Sequence, residues 1–141
     1  MGLLSAPPVA IDPRLTGVVD TVLRYVVTAV CAASAGVHAA LIGPHLAEGL
    51  PIGLGFAAAT ATLALAAIAV RQPRRDPWAP GLAAAVLCLI AIAYVLSRSS
   101  GIPLLIGHAE ELDPFGIAST SAELVGAVAS VALLLPRKDR A

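Results

Sequence analysis

Two residues of this sequence, His38 and Glu123, carry ionisable side chains inside long apolar runs. A carboxyl or imidazole so placed has no bulk water to solvate it. It must hold a proton, a cation or a hydrogen-bond partner. Charge in hydrocarbon is expensive, so groups of this kind face the inside of a helix bundle and find partners there. Tyr94 and Arg98 are four apart and share a helical face. His38, Tyr94, Arg98 and Glu123 therefore form a candidate intramembrane polar cluster. In it, Arg98 satisfies either Glu123 or the acids of the segment that follows Arg98. Such a cluster acts as a hydrogen-bonded knot that fixes helix register, or as a functional pocket.

The histidines and acids admit a second chemistry. Imidazole and carboxylate are ligands for zinc or copper, and His38, His45, His108 and Glu110 are the candidate set. The spacing matches no compact metal motif. His38 and His45 are seven residues apart, with Gly43-Pro44 between them, and His108 reaches them only if its loop folds back. Haem on His38 or His108 is a lesser alternative, and no cysteine pair is spaced for covalent haem attachment. Cys31 and Cys88 sit in apolar runs and read as small buried hydrophobes. There is no phosphate-binding loop, dinucleotide fingerprint, nucleophile elbow or HExxH motif. An enzymatic role therefore has no motif to carry it.

The elements that must position these residues follow from hydropathy. Hydrophobic residues make up 58% of the 141, charged residues 13% and aromatics 4%. A small soluble fold has too much surface for its volume to hide that much aliphatic mass, which makes lipid the natural solvent. The apolar runs cover about 18–42, 51–70, 80–97 and 115–135. Each is long enough to cross ~30 Å of hydrocarbon at about 1.5 Å per residue. Short connections make sequential runs antiparallel. The expected fold is all-α: a four-helix integral membrane bundle over 16–141, preceded by a Pro-rich tail over 1–15. Gly43-Pro44 is expected to stop the first helix. Asp113-Pro114 is expected to start the fourth, with Asp113 as N-cap and Pro114 at the first helical position.

Basic residues set an orientation. Arg14, Arg24, Arg71, Arg74, Arg75, Arg137, Lys138 and Arg140 fall on one side of a four-span topology, and Arg98 falls on the other. By the positive-inside rule both termini are cytoplasmic, in a plasma membrane, and the histidine- and acid-bearing loops lie outside. Trp78 beside the basic loop fits an interfacial belt position. On this topology His38 is ~6 Å below the outer end of its run and Glu123 ~12 Å below the end of its own. Thr28, Cys31, Ser34, His38 and His45 share one helix face, and Ser119, Glu123, Gly126 and Ser130 share another. Small and hydroxyl residues favour close helix packing in lipid. Gly53 and Gly55 read as packing glycines. Zero net charge and no basic stripe interleaved with aromatics exclude a nucleic-acid surface.

The segment Ala35-Gly36-Val37-His38 followed by Pro44 and His45, and the Ser97-Arg98 to Pro103 segment ahead of an acidic loop and Asp113-Pro114, resemble small four-helix membrane proteins of the DoxX-like type and actinobacterial four-span proteins. The Ala- and Arg-rich composition suits a high-GC bacterium. The resemblance implies an accessory membrane role and no firm catalytic residue. Three functions are in play: an accessory or scaffold subunit that contacts lipid and other membrane subunits or copies of itself; a transporter for a metal ion or small solute, working as an oligomer; and a membrane redox or quinone enzyme subunit.

Overall fold

The computed structural model of the chain describes residues 13–72, 76–102 and 109–136. Four helices run through them: α1 (Pro13–Glu48), α2 (Leu50–Arg71), α3 (Trp78–Ser99) and α4 (Pro114–Leu134). All four are long and apolar enough to cross a membrane. The chain is thus an all-α four-helix bundle of membrane-spanning type. Each helix packs against its sequence neighbours, and α4 closes back on α1. The α1–α2 and α3–α4 connections share one end of the bundle, hereafter the upper end. The end of α2, the start of α3, the start of α1 and the end of α4 share the lower end. His108, the 104–106 segment and the basic residues 74, 75, 137, 138 and 140 lie outside the described residues, as does most of the tail.

Packing is arranged for lipid. The core is built largely from small residues, among them Ala35, Ala66, Ala67, Ala83, Ala127 and Ser130, with Leu63 and Leu87 as its largest apolar members. Large aliphatics such as Leu65, Leu89, Ile92, Val125 and Val128 point outward. Only 22% to 33% of each span's most apolar stretch is enclosed by the bundle. Small residues at helix contacts let backbones approach closely, which drives association where lipid is as apolar as the side chains. Gly126 shows this directly. A Cβ there would meet Val30 Cγ1 at 2.7 Å and Leu87 Cδ1 at 3.0 Å, so α1, α3 and α4 converge on it.

Three expectations need correction. Gly43-Pro44 does not end α1, which continues to Glu48. Proline removes one hydrogen bond, the one to the Ala40 carbonyl, and a single lost bond near a helix end leaves the remaining turns intact. Of the two expected packing glycines, only Gly53 packs, against Leu46; Gly55 faces open space. Cys31 is buried but Cys88 faces out of the bundle.

Both ends of the bundle are fastened by arginine. At the lower end, Arg24 donates from Nε to Asp20 Oδ2 and from Nη1 to the Val70 carbonyl, each at 3.0 Å. It thereby satisfies a carbonyl in the last turn of α2, a place where cations are favoured. Arg71 lies over the Tyr25 ring at 5.4 Å. At the upper end the α1–α2 link is the single residue Gly49, and α3 is followed, after its cap Ser100, by Gly101 at φ 74°. That left-handed backbone is suited to glycine after a helix.

Candidate functional site

The continuation of α1 sets the depth of the inner polar group. His38 lies ten residues below Glu48, the last residue of α1. At the helical rise this is ~15 Å along the axis, instead of the ~6 Å expected from a helix ending at Ile42. Glu123 lies nine residues below Pro114, the first residue of α4. The same rise puts it ~14 Å down that helix. The two helices are antiparallel neighbours, so both groups arrive at one level.

Ser34 joins them. Its Oγ donates to Glu123 Oε1 at 2.6 Å. Its carbonyl lies 2.9 Å from His38 Nδ1. A carbonyl can only accept, so Nδ1 carries the ring proton in this contact. Nδ1 also approaches Ser34 Oγ at 3.4 Å. Glu123 is 2% exposed. Its Oε1 has a hydrogen-bond partner; among the described residues no donor is seen for Oε2. On the other side of His38 stands Phe56 of α2, with ring centroids 5.4 Å apart, and the same Phe56 meets His45 at 4.0 Å.

Arg98 and Tyr94 form a separate group at the upper end. Arg98 pairs with Glu110 and, at 3.1 Å, with Asp113 Oδ2. Its guanidinium lies 4.9 Å from the centroid of the Tyr94 ring, a cation–π arrangement. Glu110 is held in turn by its backbone N–H, which donates to the Ser97 carbonyl at 2.9 Å. Asp113 is the N-cap of α4: its Oδ1 accepts from the Gly116 N–H at 2.6 Å. That hydrogen bond, followed by the Arg98 guanidinium, holds the Asp113 carboxyl below the usual carboxylate range. Gly116 has to be small, because a Cβ would run into the Tyr94 ring and the Asp113 carboxylate.

The four residues expected in one cluster thus fall into two pairs. Asp113 and Glu123 are ten positions apart, one at the cap of α4 and one inside it. That spacing separates them by ~15 Å along the axis. Arg98, level with Asp113, serves the loop acids and leaves Glu123 to Ser34. Of the residues considered for a metal, His38 and His45 both lie against Phe56, Glu110 is engaged by Arg98, and His108 lies outside the described residues. Among the described residues no group of three His, Cys, Asp or Glu side chains is placed to hold a metal ion.

Sequence reasoning missed Ser34 as the hub and Phe56 as the separator of the two histidines. The signal for Ser34 was its place on the same face as His38. The signal for Phe56 was a lone aromatic in a run of alanines and leucines.

Between α1 and α4 runs a groove of about 350 Å³. Ala33, Val37, Ala118 and Ala122 form its walls, Phe115 stands at its upper end, and Ser34 and Glu123 form its polar floor. The wall alanines are exposed on the outside of the bundle, so the groove opens sideways. No family model matches the chain, and no curated protein or solved structure is similar to it.

Proposed function

We propose that this small multi-pass membrane protein is an accessory subunit, docking through α1 onto a partner helix within the bilayer. The observation that supports this is the outer face of α1. Ala32, Gly36 and Ala40 recur at steps of four and are all exposed, and a Cβ built on Gly36 meets nothing within 4 Å. Elsewhere the chain turns Leu89, Ile92, Val125 and Val128 outward. A small-xxx-small row lets a second helix approach closely enough for backbone contact.

The internal pairing of the charged groups agrees with this reading. Arg24 is tied to Asp20 and Val70, and Arg98 to Glu110 and Asp113, so the ends of the bundle are fastened within the chain. The orientation that fits is a basic lower end in the cytoplasm, the end that carries Arg24, Arg71 and, at the start of α3, Trp78, with the acidic upper end outside. The membrane is then the plasma membrane of a bacterial cell.

Purification from native membranes in mild detergent tests the proposal. The wild-type chain is expected to elute with a second membrane protein or a further copy of itself. Gly36→Leu should release it as a folded monomer, because the new side chain points away from the bundle. Wild-type protein that elutes as a lone monomer from native membranes would overturn the reading.

A further inference from the structure

We propose that the groove between α1 and α4 binds a lipophilic amine, which enters sideways from the bilayer and places its ammonium on Glu123. This goes beyond the docking role of α1. It rests on the groove rather than on the Ala32–Gly36–Ala40 row.

Three observations carry it. The first is shape. The groove holds about 350 Å³. Cavities that take small molecules run from roughly 300 to 1,000 Å³. The space exists because Ala33, Ala118 and Ala122 stand where larger side chains would close it. Next along α4, Leu124, Val125 and Val128 are the outward-facing residues.

The second is the floor. Glu123 is 2% exposed, yet among the described residues the only hydrogen bond to it is the one from Ser34 to Oε1. Among the described residues Oε2 takes no donor, and the bundle does not seal it, so a ligand in the groove can reach it. The arginines seen nearest the two ends are committed elsewhere, Arg98 to Asp113 and Glu110 and Arg24 to Asp20. His38, the nearest histidine, has its Nδ1 turned to the Ser34 carbonyl at 2.9 Å.

The third is the sense of the hydrogen bonds. Ser34 spends its hydroxyl proton on Oε1, so the Ser34–Glu123 pair offers acceptors to whatever lies above it, beside the Ser119 hydroxyl that also lines the groove. A ligand that completes it must donate. An ammonium does so and matches the carboxylate in charge. A quinone carbonyl or a fatty-acid carboxylate can take the Ser119 hydroxyl but leaves Oε2 without a donor. The apolar walls then select a hydrophobic body behind the amine.

Full-length protein in lipid nanodiscs, titrated with 1-adamantylamine, tests this. Calorimetry should show saturable binding at one amine per chain, above the partition into protein-free nanodiscs. Adamantane-1-carboxylate should not compete. Glu123→Gln should weaken binding at least tenfold. Ala118→Leu, which fills the groove and leaves Ser34 and Glu123 in place, should abolish it while the helical circular dichroism and thermal transition persist. Gly36→Leu should bind as the wild type does, which separates this site from the docking face. Binding that tracks lipid alone, or that survives both Glu123→Gln and Ala118→Leu, would overturn the proposal. So would a groove filled by a second copy, seen as an oligomer that Ala118→Leu breaks and that binds no amine.

Discussion

Ser34 Oγ and Glu123 Oε1, 89 positions apart in sequence, meet at 2.6 Å in the interior of the α1–α4 contact. The bond links helices that are not sequence neighbours, and it closes the ring of four. It also makes Ser34 answerable to two partners, since its carbonyl receives His38 Nδ1 at 2.9 Å. Ser34 is 4% exposed and Glu123 2%, so water does not replace either partner when one is removed.

A thermodynamic cycle follows. Ser34→Ala strands a buried carboxyl oxygen and should destabilise the bundle by about 1–3 kcal/mol. Glu123→Leu on the Ser34→Ala background removes the stranded group and should recover most of that loss, because replacing both partners by apolar groups is near neutral. Thermal unfolding in detergent, followed by circular dichroism, measures both steps. Costs that simply add in the double variant would mean that the two side chains do not act as a pair.

Gly126 and Gly36 should respond in opposite ways to growth. At Gly126 a Cβ meets Val30 and Leu87. Gly126→Val should therefore overpack the meeting point of three helices and cost about 1–3 kcal/mol. At Gly36 a Cβ meets nothing. Gly36→Ala should leave the isolated bundle as stable or up to about 1 kcal/mol more so. Midpoints from the same melting assay decide this. A Gly126→Val protein that melts like the wild type would place α4 differently from the packing described.

Length and composition alone made the four spans legible. The expected runs 51–70, 80–97 and 115–135 became Leu50–Arg71, Trp78–Ser99 and Pro114–Leu134. The end of α1 was not legible, because Gly43-Pro44 has the composition of a stop yet removes only one hydrogen bond. That error put His38 too near the surface. The inward stripes were read from helical spacing: Cys31 and Ser34 on α1 and Glu123, Gly126 and Ser130 on α4 are buried, while Thr28, His38, His45 and Ser119 of the same stripes are half-buried. That α1 and α4 meet was expected from His38 and Glu123; that Ser34, rather than Arg98, takes the Glu123 carboxyl was not legible, because spacing does not say which side chain of the face reaches it. Arg98 shows what depth arithmetic yields. It stands one turn or less from the end of α3, level with Asp113, so loop acids rather than Glu123 are within its reach.

The acidic clasp should give way in acid. The Asp113 carboxyl is held below the usual range, first by the Gly116 N–H and then by Arg98. A group whose folded value is depressed contributes stability that is fully present above its unfolded value. That contribution is lost as pH falls through the folded value. The melting midpoint should therefore decline on acidification below the ordinary carboxylate range. Asp113→Asn keeps a capping oxygen for Gly116 but loses the charge facing Arg98. It should melt lower than the wild type near neutral pH and show a shallower acid decline. Parallel pH profiles for the two proteins would remove Asp113 from this role. The effect should be modest, since the Asp113 side chain is 45% exposed and water screens the pair.

Orientation is the remaining prediction, and the native cysteines make it accessible. Cys31 is enclosed by the bundle and Cys88 faces outward from the middle of α3, where it meets acyl chains. Neither offers a thiolate in water, so a membrane-impermeant maleimide should label the unmodified chain weakly. Gln72→Cys puts a thiol at the exposed lower end, beside Arg71, and Glu111→Cys puts one at the exposed upper end, beside Glu110. With the basic end held in the cytoplasm, intact cells should label at Glu111→Cys and not at Gln72→Cys. Permeabilised cells should label at both. The reverse pattern in intact cells would place Glu110 and Asp113 in the cytoplasm and move the Glu123 groove to the inner half of the membrane. The distribution of arginine would then have to be explained by some force other than the charge bias of insertion.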